Sequence, residues 1–383
     1  MKLLCVIDHF GSGGAQRQLV ELACGMAARG HAVQAFVYFP QFNFFRAKLD
    51  AHAVAVHGVH KGRGFSPRVL WALARLMRRE CFDAVVSFLD RPNTYTELAH
   101  LLAGNSTTLL VSERSSHLHD RRRVLAWAKR LLHARAHAVV ANNHTHAMWL
   151  RRHHWLSQKV HCIYNGVDLD AFNPSPNVPP TPDALRLLAV GRVGPEKNVL
   201  CLIDALAEHH RRHGWLPQLS WAGRRDDSAE GLAYGRSVDA ALQQHPAVAA
   251  AWQWLGERSD VPALLASHHA LVHASFYEGL PNVVCEAMAA GRPVLLSAVC
   301  DHPRLVPPGE RGFLFDPHDS LSLLAAIESL DAQSLRAWTG MALATRSYAE
   351  RELGTSTMVA HYEALIAQLR RGDSAAARTA DGR

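Results

Sequence analysis

Residues 270–291 read ALVHASFYEGLPNVVCEAMAAG and contain the stretch that decides the fold. The apolar run at 270–274 has the length and β-branching of a buried strand, and the loop at 278–282 contains glycine and proline. The run at 283–290 predicts a helix, and Pro281 is expected in its first turn, where the missing N–H costs no hydrogen bond. The order strand, loop, helix is typical of an α/β protein.

The loop that leads into this helix has the chemistry of a phosphate site. A helix N-terminus offers unpaired N–H groups and the positive end of the helix dipole. Two carboxylates bracket it, Glu278 on the loop and Glu286 on the helix. The pattern favours a sugar nucleotide as the ligand, with amides for the phosphates and carboxylates for the hydroxyls. The alternative is two ordinary surface glutamates that flank a turn.

Two cations follow the predicted strand at 185–190. Arg192 stands at the strand end and Lys197 at the start of the next helix. A forked guanidinium and a mobile ammonium would bind a diphosphate and offset the charge of a leaving group. The alternative is a pair of solvated cations at a turn. No histidine–carboxylate cluster in the sequence indicates a metal, so we expect these cations and the helix dipole to replace one.

The first half of the chain alternates strands and helices. Strands are predicted at 32–39, 53–57, 84–88, 107–111, 138–140 and 160–163, with helices at 67–79, 93–103, 122–136 and 145–154. This alternation predicts right-handed βαβ units and a parallel sheet. Ligands of such sheets bind at the carboxyl ends of the strands. That rule selects three turns as candidate binding sites. The first carries Gly13 and Gly14, the second carries Asn93, and the third carries Glu113, Arg114 and His117.

The length of 383 residues favours two domains. Five prolines between residues 172 and 183 predict a linker at 173–183, which separates an N-terminal domain at 1–172 from a C-terminal domain at 184–371. This division leaves open that the last helix packs back on the N-terminal domain. The tail at 372–383, rich in Ala and Arg, is expected to be disordered.

Charge is distributed unevenly along the chain. Up to Pro176 there are 22 Lys and Arg against 11 Asp and Glu, whereas the remainder has 19 against 23. The basic first half favours an anionic partner, and three basic helical segments at 67–79, 121–132 and 148–155 favour an anionic membrane surface. The alternative for each segment is that its apolar face packs on the sheet. No base-reading motif supports nucleic acid as the partner.

The sequence also predicts where the protein resides. No window is apolar enough for a membrane span, and the first residues, MKLLCVID, are too short and too soon acidic for a signal peptide. Seven scattered cysteines without Cys-x-x-Cys spacing indicate reduced thiols and no zinc site. We expect a cytoplasmic protein, peripheral at the cytoplasmic face of the inner membrane.

Several strings resemble the signature of retaining glycosyltransferase family 4. They are Tyr-Glu-Gly-Leu-Pro-Asn-Val from residue 277, Glu-Ala-Met-Ala-x-Gly-x-Pro-Val from 286, Val-Gly-Arg-x-x-x-Glu-Lys-Asn from 190, Gly-x-Gly-Gly-Ala-x-Arg from 11 and Asn-Gly-Val-Asp from 165. The resemblance implies an α/β GT-B fold, with two Rossmann-like domains whose parallel sheets face a central cleft. It also implies metal-independent, hexosyltransferase-type chemistry without a cofactor, in which a UDP- or GDP-linked sugar passes with retention to a hydroxyl of a glycan or lipid-linked glycan.

The resemblance assigns roles to individual residues. The catalytic residues would be Arg192, Lys197, Glu278 and Glu113. The donor-binding residues would be Gly13, Gly14, Arg17, Arg258, Gly279, Leu280, Pro281, Asn282, Val283 and Glu286. The acceptor side would include Arg114, His117 and Asn93, and polysaccharide biosynthesis for the cell envelope is the expected process.

One segment departs from the family pattern. Cys300 and Asp301 stand where two glycines usually precede a helix, and Arg304 stands where Glu is frequent. The departure bears on the identity of the donor more than on the reaction class. The alternatives are a nucleotide-sugar epimerase on the same fold and a non-catalytic GT-B scaffold protein.

Overall fold

The computed structural model of the protein describes residues 1–104, 107–114, 130–173 and 184–380, with side chains to residue 371. His117, most of the predicted helix at 122–136 and nearly all of the predicted linker lie outside the described residues. The chain forms two compact units. Unit 1 comprises Met1–Gly166 and Thr355–Arg383, and unit 2 comprises Val167–Gly354.

Unit 1 contains a parallel sheet of seven strands among the described residues. These are β1 (Lys2–Val6), β2 (Ala32–Val37), β3 (Ala55–Gly58), β4 (Ala84–Phe88), β5 (Thr108–Glu113), β6 (Ala138–Ala141) and β7 (Val160–Cys162). The strand order is β3-β2-β1-β4-β5-β6-β7. Cys5 in β1 pairs with Ala35 in β2 and with Val86 in β4. The order reverses between β1 and β4, so the carboxyl ends of these two strands form the switch point where such sheets bind ligands.

Helices lie between these strands in the described part of the first 166 residues. They include α1 (Gly14–Ala28), α2 (Arg46–Ala51), α3 (Pro67–Glu80), α4 (Asp90–Ala103) and α5 (His144–Arg151). Strands β4, β5 and β6 are buried along their whole length, and two core clusters of unit 1 cover the two faces of the sheet. The predicted parallel α/β architecture is therefore confirmed for this half.

Unit 2 has a second parallel sheet, with six strands among the described residues. They are β8 (Arg186–Val190), β9 (Gln218–Ala222), β10 (Trp252–Gly256), β11 (Ala270–His273), β12 (Val294–Ser297) and β13 (Gly312–Phe315), in the order β10-β9-β8-β11-β12-β13. Its helices are α6 (Val199–His213), α7 (Ala229–Gln244), α8 (Pro246–Ala251), α9 (Val261–Ser267), α10 (Asn282–Ala289), α11 (His302–Leu305), α12 (Ser320–Asp331) and α13 (Leu335–Tyr348). The switch point lies between β8 and β11, whose carboxyl ends carry the predicted cations and Glu278.

The division between the units differs from the predicted domain boundary. The chain leaves unit 1 after Gly166, inside the Asn-Gly-Val-Asp motif, and returns to it at Thr355. The returning helix α14 (Thr355–Ala380) packs on α1, and a Cβ added at Gly25 would lie 2.5 Å from Val359 Cγ2. The absent side chain at Gly25 thus permits the close approach. The helix continues to Ala380, so residues 372–380 are helical where the sequence predicted a disordered tail.

Candidate active site

An ion pair between Lys197 and Glu278 forms the centre of the candidate site in unit 2. Lys197 ends a short 3-10 turn before α6, and Glu278 lies in the loop between β11 and α10. Lys197 Nζ donates a hydrogen bond to Glu278 Oε1, and the two side chains are 18% and 16% exposed. The sequence predicted both residues as catalytic, and the structure brings them into direct contact.

His273, the last residue of β11, contacts the same carboxylate. Its Nε2 lies 3.0 Å from Glu278 Oε1. Burial alone would raise the pKa of Glu278, but Lys197 and His273 lower it far below its usual range, so the carboxylate is charged at neutral pH. Within the described part of the chain, every side-chain hydrogen bond of Glu278 reaches Oε1. Oε2 is therefore available to accept a hydrogen bond from a ligand hydroxyl.

Arg192 lies at the carboxyl end of β8, close to the ion pair in sequence. Its guanidinium is 47% exposed and contacts two carboxylates, Glu196 at 2.9 Å and Asp226 at 3.3 Å. The preceding Gly191 has φ +154, and a Cβ there would lie 3.3 Å from Lys197 Cε. Glycine at this position thus leaves room for the lysine stem, while Arg192 remains accessible to an anion.

The N-terminus of α10 differs in one detail from the sequence prediction. Pro281 is the N-cap, with φ −66 and ψ 123, and the helix begins at Asn282. The prediction that Pro281 lies in the first turn is therefore wrong by one residue. Since proline has no N–H, the donors of this predicted phosphate site begin at Asn282. Leu280 is buried, Val283 is nearly so, and Gly279 and Asn282 are partly exposed.

Two further predicted donor-side residues have different surroundings. Glu286 lies in the middle of α10, is 3% exposed and interacts with other groups of the protein. Arg258 lies in the loop after β10 and forms a two-point ion pair with Asp260, at 2.7 and 2.5 Å. A ligand that binds Arg258 would have to compete with this carboxylate.

Sequence reasoning missed the two histidines near Glu278, although it singled out Cys300 as a departure from the family pattern. His302 is buried beside His273, with ring centroids 5.9 Å apart, and burial lowers its pKa to about 4. Cys300 donates its thiol hydrogen to the Glu278 carbonyl at 2.6 Å. One feature of the sequence could have identified His273: it is a polar residue that ends an otherwise apolar strand, directly before the loop that carries Glu278.

In unit 1, Glu113 lies at the end of β5 in a buried network. Glu113 Oε1 is 2.9 Å from His133 Nε2, and Oε2 is 2.8 Å from His146 Nε2. The other nitrogen of His133 is 2.5 Å from Glu97 Oε1. Burial opposes the charged imidazole, but the two carboxylates raise the pKa of His133 to about 10. The predicted catalytic role of Glu113 stays a prediction, whereas its side chain is buried and both its oxygens are hydrogen-bonded.

Arg114 and Asn93 were expected to line the acceptor side, but both are buried. Arg114 donates to Ser112, to Asn165 at 2.5 Å and to Tyr362 at 3.1 Å, and its guanidinium lies 3.7 Å from the centre of the Phe88 ring. Asn93 donates to the Ser112 carbonyl at 3.0 Å. These contacts fix the carboxyl end of β5 to its neighbours, and the acceptor-side roles of Arg114 and Asn93 stay predictions.

The glycine-rich loop lies at the switch point of the unit 1 sheet. Gly13 is the N-cap of α1, and a Cβ there would clash with Gln16 Oε1, so a side chain at this position would have to displace the Gln16 amide. Gln16 donates to Asp8 at 2.9 Å, and Gly11 N–H donates to His9 Nδ1 at 2.9 Å. Gly14 begins the helix, and the predicted Arg17 is partly buried one residue after Gln16. Sequence reasoning missed Asp8 and His9, which hold this loop.

The described residues contain no group of three or more His, Cys, Asp or Glu arranged to hold a metal ion. None of the helices among them is long and apolar enough to cross a membrane.

The two parallel sheets match solved structures with the GT-B fold. HepE from Anabaena, solved in complex with UDP and glucose, superimposes with a TM-score of 0.80 at 19% identity. The match covers 96% of this chain and 99% of that one. The fold is therefore GT-B, as the sequence predicted.

Family models identify the chain more closely. Residues 12–171 match the model described as Glycosyltransferase Family 4, and residues 184–332 match the model described as Glycosyl transferases group 1. The two matches together span most of the chain. The protein belongs to glycosyltransferase family 4.

Several curated proteins are similar to this chain at 21% to 29% identity. The Escherichia coli UDP-Gal:alpha-D-GlcNAc-diphosphoundecaprenol alpha-1,3-galactosyltransferase is 28% identical over 178 residues, 44% of each chain. The Campylobacter jejuni GalNAc-alpha-(1->4)-GalNAc-alpha-(1->3)-diNAcBac-PP-undecaprenol alpha-1,4-N-acetyl-D-galactosaminyltransferase is 21% identical over 336 residues, 84% of each chain. The chain spans about half the length of the curated relatives that match it at 28% and 29% identity.

Proposed function

We propose that the protein is a retaining glycosyltransferase that moves a hexosyl group from a nucleotide sugar to a hydroxyl of a lipid-linked glycan. The observation that carries the proposal is the Glu278 carboxylate, which is held through Oε1 by Lys197 and His273 and presents Oε2 to a ligand. A carboxylate with one available oxygen beside a lysine suits a ligand that combines sugar hydroxyls with a diphosphate.

Each side chain would have a defined task in the transfer. Lys197 and Arg192 would stabilise the charge that develops on the departing diphosphate, and the N–H groups of Asn282 and Val283 would assist. Glu278 would accept hydrogen bonds from sugar hydroxyls, and Glu286 from the ribose. These cationic and amide donors supply the charge stabilisation for which other enzymes use a metal ion, and we propose metal-independent transfer on that basis.

Retention requires that the new bond forms on the face that the leaving group vacates. The bond between the anomeric carbon and the phosphate oxygen breaks, and the acceptor oxygen binds the anomeric carbon on the same face. The acceptor proton passes to the departing phosphate oxygen, which leaves as part of a nucleoside diphosphate. This scheme needs no covalent intermediate with a side chain of the protein.

The acceptor class is proposed from the relatives. The names of the Escherichia coli and Campylobacter jejuni proteins both specify an acceptor linked to undecaprenol through a diphosphate. A lipid-linked acceptor of this kind requires access to a membrane surface. We therefore place the protein at the cytoplasmic face of the membrane, in polysaccharide biosynthesis for the cell envelope, with a UDP- or GDP-linked donor.

Helix α3 offers a surface for such a membrane contact. Its apolar face, which includes Val69, Leu73 and Met77, is buried in the core of unit 1 and is not available to lipid. The opposite stripe carries Arg68, Trp71 and Arg75, and Trp71 is 57% exposed. Within the described residues neither of these arginines has a carboxylate partner. A tryptophan between unpaired arginines suits the interface of an anionic bilayer, with each cation near the surface contributing about 1 kcal/mol.

A donor screen tests the proposal. The purified protein is incubated with UDP- and GDP-hexoses and a polyprenyl-diphosphate-linked N-acetylhexosamine, with and without EDTA. We expect one nucleotide sugar to extend the acceptor with the donor's anomeric configuration, and EDTA to leave the rate unchanged. An epimerised sugar formed without acceptor would support the epimerase alternative. Failure to bind any nucleotide sugar would support the scaffold alternative.

Vesicle sedimentation tests the membrane contact separately. At low salt we expect binding to vesicles that contain phosphatidylglycerol and little binding to phosphatidylcholine vesicles. Replacing Arg68 and Arg75 by Gln should weaken the binding while it leaves transfer to a short-chain, water-soluble acceptor unchanged. Equal binding to both vesicle types, or none to either, would contradict the contact.

A further inference from the structure

His273 contacts the proposed donor-sugar residue, although no recognised motif includes it. The residue ends β11, is 4% exposed, and has Nε2 at 3.0 Å from Glu278 Oε1. An ionised carboxylate only accepts hydrogen bonds, so Nε2 must carry the hydrogen. Burial is the main reason that the pKa of His273 is lowered, so the ring is neutral at pH 7 and supplies a single donor. That donor is nearest to Glu278 Oε1, and Ser275 Oγ lies 3.2 Å from the same nitrogen.

His302 restrains the His273 ring from the side. Its Nδ1 lies 2.7 Å from the Ser297 carbonyl, which can only accept, so Nδ1 carries the hydrogen and the ring orientation is fixed. The two rings meet edge to face at an interplanar angle of 75°. His273 is thus held between a neighbouring ring and the carboxylate that it contacts.

Cys300 holds the main chain of the same glutamate. Its thiol donates to the Glu278 carbonyl at 2.6 Å, and its own backbone has φ +49. A residue with a Cβ is disfavoured in this left-handed region, so the conformation costs energy that the surrounding contacts must offset. Glu278 is therefore held at its side chain by Lys197 and His273 and at its main chain by Cys300.

We propose that His273 is a positioning residue for Glu278, and that together with Cys300 it determines which hydroxyl of the donor hexose Oε2 receives. Two donors on Oε1 fix the rotation of the carboxylate and hence the direction of Oε2. The proposal rests on the proposed function, because it assigns the hexosyl hydroxyls as the ligand of Oε2. Displacement of a positioning group by about 1 Å can lower a rate by about 10²-fold, so a lost hydrogen bond at this place has a measurable effect.

Steady-state kinetics of His273→Leu and His273→Gln test the proposal with the most active nucleotide hexose and its C4 epimer. Leucine fills the space without a donor, whereas glutamine places an N–H near the position of Nε2. We expect His273→Leu to lower kcat/KM for the preferred donor by about 10-fold or more. The ratio of kcat/KM between the two epimers should move toward one, and His273→Gln should recover most of both losses.

His269→Leu is the matched control. His269 precedes the same strand, is buried, and accepts the Arg186 N–H at 2.9 Å without contact to Glu278. We expect this variant to lose thermal stability and to keep the wild-type ratio between epimers. A wild-type ratio in His273→Leu, or an equal change in His269→Leu, would overturn the proposal.

Two further results separate this proposal from the proposed function. If His273→Leu does not fold, Cys300→Gly is measured instead. An unchanged ratio of kcat/KM between the two epimers in Cys300→Gly would then overturn the proposal for His273 and Cys300. A wild-type protein that transfers from no nucleotide hexose would overturn the proposed function, and the positioning role with it. If the wild type is active and His273→Leu has the wild-type kcat/KM and epimer ratio, the positioning role alone is overturned.

Discussion

Two glutamates at the carboxyl ends of parallel strands show how the same residue type serves different purposes. Glu113 follows β5 in unit 1, and Glu278 follows β11 in unit 2, and each contacts histidine. Both oxygens of Glu113 accept hydrogen bonds from buried imidazoles, whereas the protein contacts described for the Glu278 carboxylate reach Oε1 alone. Both residues share the same position in the fold, but their hydrogen bonds differ: both oxygens of Glu113 are bonded, whereas Glu278 has one oxygen available to a ligand.

The largest effect is expected from Glu113→Gln. The substitution removes one charge from a buried network and leaves the His133 imidazolium with one carboxylate in place of two. Loss of one partner of a buried ion pair typically destabilises a protein by about 3–5 kcal/mol. Urea denaturation of the variant should show a loss of this order, and a loss below about 1 kcal/mol would contradict the structural role.

Lys197→Ala should have the next largest effect, on activity instead of stability. Removing an electrostatic stabiliser of the leaving group typically lowers the rate by about 10²–10³-fold, and we expect kcat/KM to fall by about two orders of magnitude or more. Initial-rate measurements at varied donor concentration provide the test. Transfer near the wild-type rate would contradict the assignment of Lys197 to the diphosphate.

The two networks should respond to pH in opposite directions. The folded-state pKa of His133 is raised to about 10, so its contribution is complete below the unfolded value near 6.5 and is lost as pH rises toward 10. The pKa of Glu278 is lowered, so its contribution is present above the unfolded value near 4.5 and is lost as pH falls below that.

Denaturation midpoints measured between pH 3 and pH 10 check this contrast. His133→Gln should flatten the alkaline side of the stability curve, and Glu278→Gln should flatten the acid side. Glu97, which faces His133 and has its pKa raised chiefly by burial, acts in the same direction as His133. Identical curves for the wild type and His133→Gln above pH 7 would contradict the assignment.

The smallest effect is expected from Lys48→Ala, which is the matched control for Lys197→Ala. Lys48 pairs with Glu21 at the surface of unit 1 at 2.5 Å. Surface pairs of this kind contribute about 0–1 kcal/mol, so stability should change little and kcat/KM should stay at the wild-type value. A loss of activity comparable to that of Lys197→Ala would show that the lysine effect is not specific to the site.

The sequence was sufficient for the elements that repeat and for the residues that lie in motifs. The alternation of apolar runs predicted the parallel sheet of the first half, and the family resemblance implied the second sheet. The strings around Lys197 and Glu278 placed both residues at strand ends that prove to be neighbours. Local patterns determine these features, because a strand and the turn that follows it are continuous in the chain.

Features that depend on contacts between distant residues were not predictable in the same way. Arg114 is buried because Tyr362, 248 residues further along the chain, accepts a hydrogen bond from its guanidinium. Glu113 is buried because His133 and His146, which lie 20 and 33 residues further along the chain, contact its two oxygens. No local pattern specifies such partners, so polar residues at a strand end were read as facing a ligand. His273 was missed for the converse reason, since its strand is apolar and suggests only packing.

Calorimetric titration of Glu278→Gln tests the central claim that Glu278 binds the sugar of the donor. The wild type and the variant are each titrated with the preferred nucleotide hexose and with its nucleoside diphosphate. The account predicts that the variant keeps the wild-type affinity for the diphosphate and loses the additional affinity that the hexose confers. Equal loss of affinity for both ligands, or no loss for either, would contradict it.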